Sequence, residues 1–314
     1  MLDVVVGLDL GGSTLRAVVM DASDGGVLRE SVDRFDAQSA EAVDRIARIA
    51  REQVERIGAS WHDVSRVGIG LAGSVGDDRV SMATNIGALE GVDIESALSE
   101  ALEREVVADN DANIAALSEW QALGPLELRD LAVISIGTGV GLGTIADGRL
   151  VRGLQGEAGE VGFLPLSPGP ELVTLEDVAG GAALARAYAR EAGGEALSGR
   201  AVLDLAVSGD VPAQRIAGQQ ARAIAWLAVL VRAILAPELI VLGGGIGMRP
   251  GFAEDVARHA LRLNDGARIE IRRSILSEHS VAIGAAHLAR LSSASSSSLP
   301  AHHHPLHPQT PAQA

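Results

Sequence analysis

Residues 105–120 read EVVADNDANIAALSEW. The segment predicts a short strand (Glu105–Ala108), a polar turn (Asp109-Asn110-Asp111) and a helix whose apolar residues recur at Ile114, Leu117 and Trp120. A carboxylate where a strand gives way to a helix sits at the carboxyl end of a sheet, where open α/β sheets hold their ligands. The nearby helix N-terminus favours its ionised form. An ionised Asp beside an Asn can take a proton from a hydroxyl while the amide fixes that hydroxyl's direction. The same residues also suit a plain helix cap, made by Asp109 or Asp111.

Outward from this segment, the chain has 314 residues, which predicts two lobes rather than one domain. Hydrophobic residues make up 47% and aromatics 2%, so the cores must be built from Val, Ile, Leu and Ala. A net charge of −15 argues against a nucleic-acid or anionic-membrane partner. All 26 basic residues are Arg, which excludes Schiff-base chemistry and a Walker-type phosphate loop. The chain has no Cys, so disulfides, thiolate catalysis and Cys-ligated zinc are excluded. No secretory signal is expected in MLDVVVGLDLGG, and Ala223–Leu235 is too short to span a bilayer and carries Arg232. A soluble, cytoplasmic protein is expected.

Val4–Leu10 is an apolar run that ends on Gly11-Gly12-Ser13-Thr14, and Leu15–Asp21 resumes it as a hairpin. Arg129–Ile136, Gly137-Thr138-Gly139 and Val140–Ala146 repeat the pattern, as an internal duplication would. Glycines let backbone N–H groups approach an anion, and two such bends across a cleft could hold a nucleotide's phosphates from both sides. Asp9 faces the first bend, where it could hold a metal ion through water. Either bend could also be an ordinary turn. Ser39–Ile57 reads as a scaffold helix capped by Ser39 and stopped by Gly58. Asn85, in a loop, suits a turn or a hydroxyl-binding amide. Arg152–Phe163 (RGLQGEAGEVGF) could aim Glu157 or Glu160 inward or be a solvated loop. Helices are expected at Gly181–Glu191, Gly199–Val207 and Pro212–Leu235. Gly243-Gly244-Gly245 follows the strand Leu239–Leu242 and suits either a flat ligand such as adenine or a tight turn. Ala267–Ile271 reads as a strand and Ser280–Leu291 as a final helix whose Gly284 allows close packing. Residues from Ser292 onward are low-complexity, and a disordered tail is expected.

Five ordered segments resemble the ROK family of bacterial sugar kinases and sugar-responsive repressors, within the sugar kinase/heat-shock protein/actin superfamily. They are GLDLGGSTLRAVVMD (7–21), ATNIGALEGV (83–92), VADNDANIAALSE (107–119), ISIGTGVGLGTIADGRLVRG (134–153) with GEAGEVGF (156–163), and IVLGGGIG (240–247). The resemblance implies an α/β fold of two ribonuclease-H-like (actin-like ATPase) lobes around a central cleft. The N-terminal lobe would be residues 1–115, completed by the helix 280–291, and the larger lobe residues 116–279. It implies Asp111 as the base deprotonating the attacking sugar hydroxyl, with Asn85, Asn110, Glu160 and Glu176 on the sugar. Asp9, Gly11, Gly12, Ser13 and Thr14 with Gly137, Thr138 and Gly139 would cradle the phosphates of ATP and Mg²⁺. Gly243, Gly244 and Gly245 would line the adenosine site. A homodimer joined through the larger lobe is also implied.

Members of this family usually read AGExGH followed by CxCGxxGC, whereas this chain has Phe163 at the His position and no Cys in Ser167–Thr174. No structural zinc is therefore expected. A phenyl ring cannot donate to a hydroxyl, so Phe163 either stacks on the sugar or packs, and packing is the expectation. The first bend reads GGST rather than GGTK. Residues for the N-terminal helix-turn-helix of the repressors are missing, which disfavours DNA binding. Phosphorylation of glucose leads. A kinase for another hexose or an N-acetylhexosamine, a sugar-binding sensor without turnover, and a polyphosphate-dependent kinase are the alternatives.

Overall fold

The computed structural model describes residues 2–76, 80, 81, 86–166, 172–193 and 197–294. Asn85, residues 167–171 and the tail from 295 lie outside them. The first half opens with β1 (Val4–Leu10), β2 (Thr14–Asp21) and β3 (Val27–Arg34), followed by α1 (Ala42–Glu55) and β4 (Val64–Leu71). The pair β5 (Ser74–Val75) and β6 (Val80–Ser81) precedes α2 (Ile94–Leu102), β7 (Val106–Asn110) and α3 (Asp111–Leu123). The second half opens with β8 (Leu131–Ile136), β9 (Val140–Ala146) and β10 (Arg149–Leu150). Helices α4 (Glu176–Ala179), α5 (Gly181–Ala192), α6 (Gly199–Val207) and α7 (Val211–Leu235) follow. Then come β11 (Leu239–Gly243), α8 (Gly244–Gly247), α9 (Phe252–Leu263), β12 (Ile271–Arg273) and α10 (Ser280–Ala294).

The strands form two five-stranded mixed sheets, ordered β3-β2-β1-β4-β7 and β10-β9-β8-β11-β12. Each begins with an antiparallel hairpin and continues with parallel neighbours. The duplication expected from the two bends is thus a duplication of topology. Both sheets are covered on both faces, which accounts for their unbroken apolar runs. In β1, Val4, Val6, Leu8 and Leu10 join the core beneath α1 and α2, while Val5 faces a second cluster with Ala282 and Ala286 of α10. In β8, Ala132, Ile134 and Ile136 face the core containing α5–α9, while Leu131 and Val133 pack with Ala115 and Ala116 of α3.

Helix α3 is clasped from two sides. A Cβ on Gly143 of β9 would lie 2.1 Å from the Ala112 carbonyl oxygen, and one on Gly284 of α10 would lie 2.4 Å from that of Ile114. Only glycine permits either approach, as anticipated for Gly284.

Several boundaries differ from expectation. The first helix starts at Ala42, and Glu41 precedes it without a side-chain capping bond. Ser39 is not the cap, because its hydroxyl accepts the Glu41 N–H at 3.2 Å and its carbonyl the Ala42 N–H, forming a turn ahead of the helix. The last strand lies at Ile271–Arg273 rather than Ala267–Ile271, since the Ala267 N–H closes a turn on the Asn264 carbonyl. Strand β3 was not anticipated. It is an edge strand with Val27, Leu28 and Val32 exposed, so it carries no clear apolar alternation.

Candidate active site

Strand β7 runs straight into α3, with no intervening turn. Asn110 is both the last strand residue and the helix cap, since its Oδ1 accepts the Ala112 N–H at 2.8 Å. Such a cap is worth about 1 kcal/mol. Neither aspartate caps the helix, and their environments separate them. Asp109 is buried, at 2% exposure. Its Oδ1 accepts the Asn110 N–H at 2.8 Å and the Asn113 amide at 2.9 Å, and its Oδ2 accepts Arg152 Nε at 2.6 Å. With both oxygens committed, Asp109 anchors the strand–helix junction.

Asp111 begins α3 half-buried. Its carboxyl is pushed up to about 7, chiefly by burial and next by the charge of Asp9. The Ala112 N–H opposes the shift and Glu160 adds to it. A carboxylate with a pKa near the working pH is suited to accept and release a proton. Asp9, the penultimate residue of β1, is itself raised to about 6 by burial. Arg16, its cross-strand partner, pulls the other way with Nη1 3.3 Å from Oδ2, and His279 adds a weaker pull.

Glu160 approaches from the second half. The Asn110 amide donates to the Gly73 carbonyl at 3.0 Å and to Glu160 Oε1 at 3.4 Å. The Leu142 N–H donates to the Gly159 carbonyl, drawing the Gly-rich segment across β9. Asp9, Asn110, Asp111 and Glu160 therefore share one locality. Glu176 lies between the same Gly-rich segment and the second bend, since a Cβ on Gly162 would come within 3.0 Å of its Oε2. Its Oε2 accepts the Val140 N–H at 3.1 Å, and a Cβ on Gly139 would lie 2.2 Å from that oxygen. It braces the second bend.

In that bend the Gly137 N–H closes on the Gly139 carbonyl, while the carbonyls of Gly137 and Thr138 accept N–H groups from Gly181 and Ala182 of α5. In the first bend the Gly11 N–H closes on the Thr14 carbonyl. Among the described residues, the backbone N–H groups of Gly12, Ser13, Thr138 and Gly139 have no backbone acceptor. Each bend thus keeps two adjacent donors of the kind that bind anions. The turn Gly243-Gly244-Gly245 lies beside the second bend. Gly244 has φ +74°, and a Cβ there would meet the Ile136 carbonyl oxygen at 2.5 Å. Arg200 of α6 reaches the Gly245 carbonyl at 3.5 Å.

Phe163 is 60% exposed, contrary to the packing expected of it. On the short turn Val161–Phe163, Val161 and Gly162 fill the buried side. The sequence reading also missed Arg16, Arg152 and Arg200. The Asp9–Arg16 pair was recoverable, because the hairpin register sets them opposite one another.

The ROK family profile matches residues 5–291. The chain belongs to the ROK family. It is 29% identical over 256 residues to an N-acetylmannosamine kinase of Vibrio vulnificus, covering 79% of this chain and 85% of that one. It is 36% identical over 193 residues to the bifunctional enzyme NanE/NanK of Brucella melitensis, covering 61% of this chain and 36% of that longer protein. Among solved structures, the ROK hexokinase of Thermus thermophilus superposes with a TM-score of 0.78 at 31% identity, covering 93% of this chain and 99% of that one. A ROK family glucokinase from Streptomyces griseus, in complex with glucose and AMPPNP, gives 0.75 at 25% identity, covering 92% and 99%. The fold is the two-lobed α/β architecture of these proteins.

Proposed function

We propose that this chain transfers the γ-phosphoryl group of ATP to a hydroxyl of a hexose or its N-acetylamino derivative. The observation that carries the proposal is Asp111, raised to about 7 between Asp9 and Glu160 at the start of α3. The kinase assignment is supported by the family and by relatives named as kinases.

In this mechanism Asn110 and Glu160 bind sugar hydroxyls, and Asn85, outside the described residues, is assigned to the same group. Asp111 takes the proton of the attacking hydroxyl as its oxygen bonds to the γ-phosphorus and the bond to the β-phosphate oxygen breaks. The N–H pairs of Gly12-Ser13 and Thr138-Gly139 face the phosphates. The turn at Gly243–Gly245 takes the adenosine. Asp9 would hold Mg²⁺, being a half-buried carboxylate whose neighbour Asp111 adds negative charge, and the ion would share it with Arg16. When bound there, the ion would supply positive charge for the phosphates. Glu176 supports the phosphate side rather than the sugar. The chain functions in the cytoplasm, where ATP is available; among the described residues no helix is long and apolar enough to cross a membrane. It self-associates as a homodimer, supported by exposed Val207 and Val211 where α6 leads into α7.

The N-acetylhexosamine reading draws specific support from Phe163. An exposed ring three residues after Glu160 offers an apolar surface where an imidazole would offer a donor. The test is ADP release with Mg-ATP across glucose, mannose, N-acetylglucosamine and N-acetylmannosamine. Turnover confined to the N-acetylated sugars selects that reading, and turnover of glucose selects the plain hexose. No turnover on any hexose, in folded protein that binds ATP, rejects the kinase proposal in favour of a sensor.

A further inference from the structure

Outside the site, Glu119 is a carboxylate on α3 with 2% exposure. Burying a carboxylate among apolar side chains is costly unless it is hydrogen-bonded. Its partner is Ser274, 7% exposed, whose hydroxyl donates to Glu119 Oε1. Ser274 Oγ also accepts the Leu276 N–H at 3.1 Å. The single hydroxyl hydrogen goes to Glu119. Burial raises the Glu119 carboxyl, and the Ser274 hydroxyl pulls it back.

The location gives this pair its significance. Ser274 follows β12, and its N–H donates to the Leu242 carbonyl at 2.9 Å, one residue before Gly243. Glu119 lies eight residues after Asp111 on the same helix. From Ser274 the chain returns to the first sheet through α10, whose Ala282 and Ala286 pack with Val5. The bond therefore joins the helix bearing Asp111 to the strand end bearing the glycine turn, at the point where the chain crosses between the sheets.

We propose that Glu119 and Ser274 are positioning residues for phosphoryl transfer, holding Asp111 at a set distance from the nucleotide-side glycine turn. The inference rests on the kinase reading. Phosphoryl transfer depends on alignment, and a misplacement of about 1 Å can cost roughly 100-fold in rate. Neither residue touches sugar or nucleotide, so substrate affinities should survive their loss.

The experiment compares wild type, Ser274→Ala and Ser274→Thr in ADP release on the best sugar of the panel, with sugar affinity from calorimetry. Ser274→Ala is expected to lower kcat about tenfold or more while sugar Kd stays within about twofold, and Ser274→Thr to recover most of the rate. Wild-type kcat in Ser274→Ala, failure of Ser274→Thr to recover, or a matching loss of sugar affinity overturns the proposal. Should Ser274→Ala not fold, hydrogen exchange on wild type decides. The Leu276 amide is expected to be protected both free and with sugar plus a non-hydrolysable ATP analogue, and unprotected exchange in either state overturns the proposal. A wild type inactive on every sugar defeats the kinase reading instead, which keeps the two failures apart.

Discussion

The two sheets share one plan, and what stands at corresponding places differs. At the penultimate position of the strand before each bend, β1 has Asp9, opposite Arg16, and β8 has Ser135, opposite Gly141. At the end of the parallel neighbour, β4 leads into the short strand β5, whereas β11 leads into Gly244–Gly247. At the far edge, β7 enters α3 with Asn110 and Asp111, whereas β12 ends beside Ser274 and reaches α10 through a linker. The first half has gathered carboxylates and an amide. The second has gathered bare backbone at Thr138-Gly139 and Gly243–Gly245, and lends Glu160 to the carboxylates of the first. On the proposed function, proton transfer needs titratable groups in a dry setting, and phosphate and adenosine need close approach to N–H groups, so the two sheets would contribute mainly different parts of the work.

The comparison can be broken at several points. Asp111→Asn should lower kcat roughly 10²–10⁴-fold, measured as ADP release, because no other first-half residue replaces the base. Gly244→Ala should raise the KM for ATP about tenfold or more, since its Cβ would strike the Ile136 carbonyl at a positive φ. Sugar affinity should be unaffected.

The pH profile sharpens the same contrast. Asp111 must be ionised to accept a proton, and its carboxyl sits at about 7, so kcat should fall as pH drops through about 7. Asp9 is one cause of that shift, so Asp9→Asn should move the remaining activity's acidic limb to lower pH. A limb that stays in place would uncouple the two carboxylates.

The smallest effect is on stability. Unfolded Asp111 ionises near 3.8 and folded Asp111 near 7, so the folded state binds the extra proton between those values. Stability therefore falls as pH rises through that window, with the penalty complete above about 7. Asp111→Asn should be more stable than wild type at pH 8 by about 1–2 kcal/mol once solvent screening is allowed for, as read by denaturant melts.

Much of this was legible in the sequence because it is local. The repeated strand–glycine–strand pattern announced both hairpins, and Asn110 with Asp111 stand together in one motif. Glu160 was legible through the glycines around it. Nothing in TLEDVAG shows that the Glu176 carboxylate accepts the Val140 N–H. The buried ties were hidden for a different reason. Asp109 and Arg152 are 43 residues apart and Glu119 and Ser274 are 155 apart, so only the folded chain brings them together. Phe163 misled because aromatic rings are usually buried, and here the turn has Val161 and Gly162 to bury instead.

Calorimetry on two variants tests the division of labour most directly. The sugar that gives turnover and a non-hydrolysable ATP analogue would each be titrated into wild type, Asn110→Ala and Gly244→Ala. Asn110→Ala should weaken sugar binding about tenfold or more and leave the nucleotide within about twofold, and Gly244→Ala should do the reverse. Loss of both ligands in either folded variant, or the opposite pairing, would contradict the proposed assignment of sugar to Asn110 and nucleotide to the Gly243–Gly245 turn.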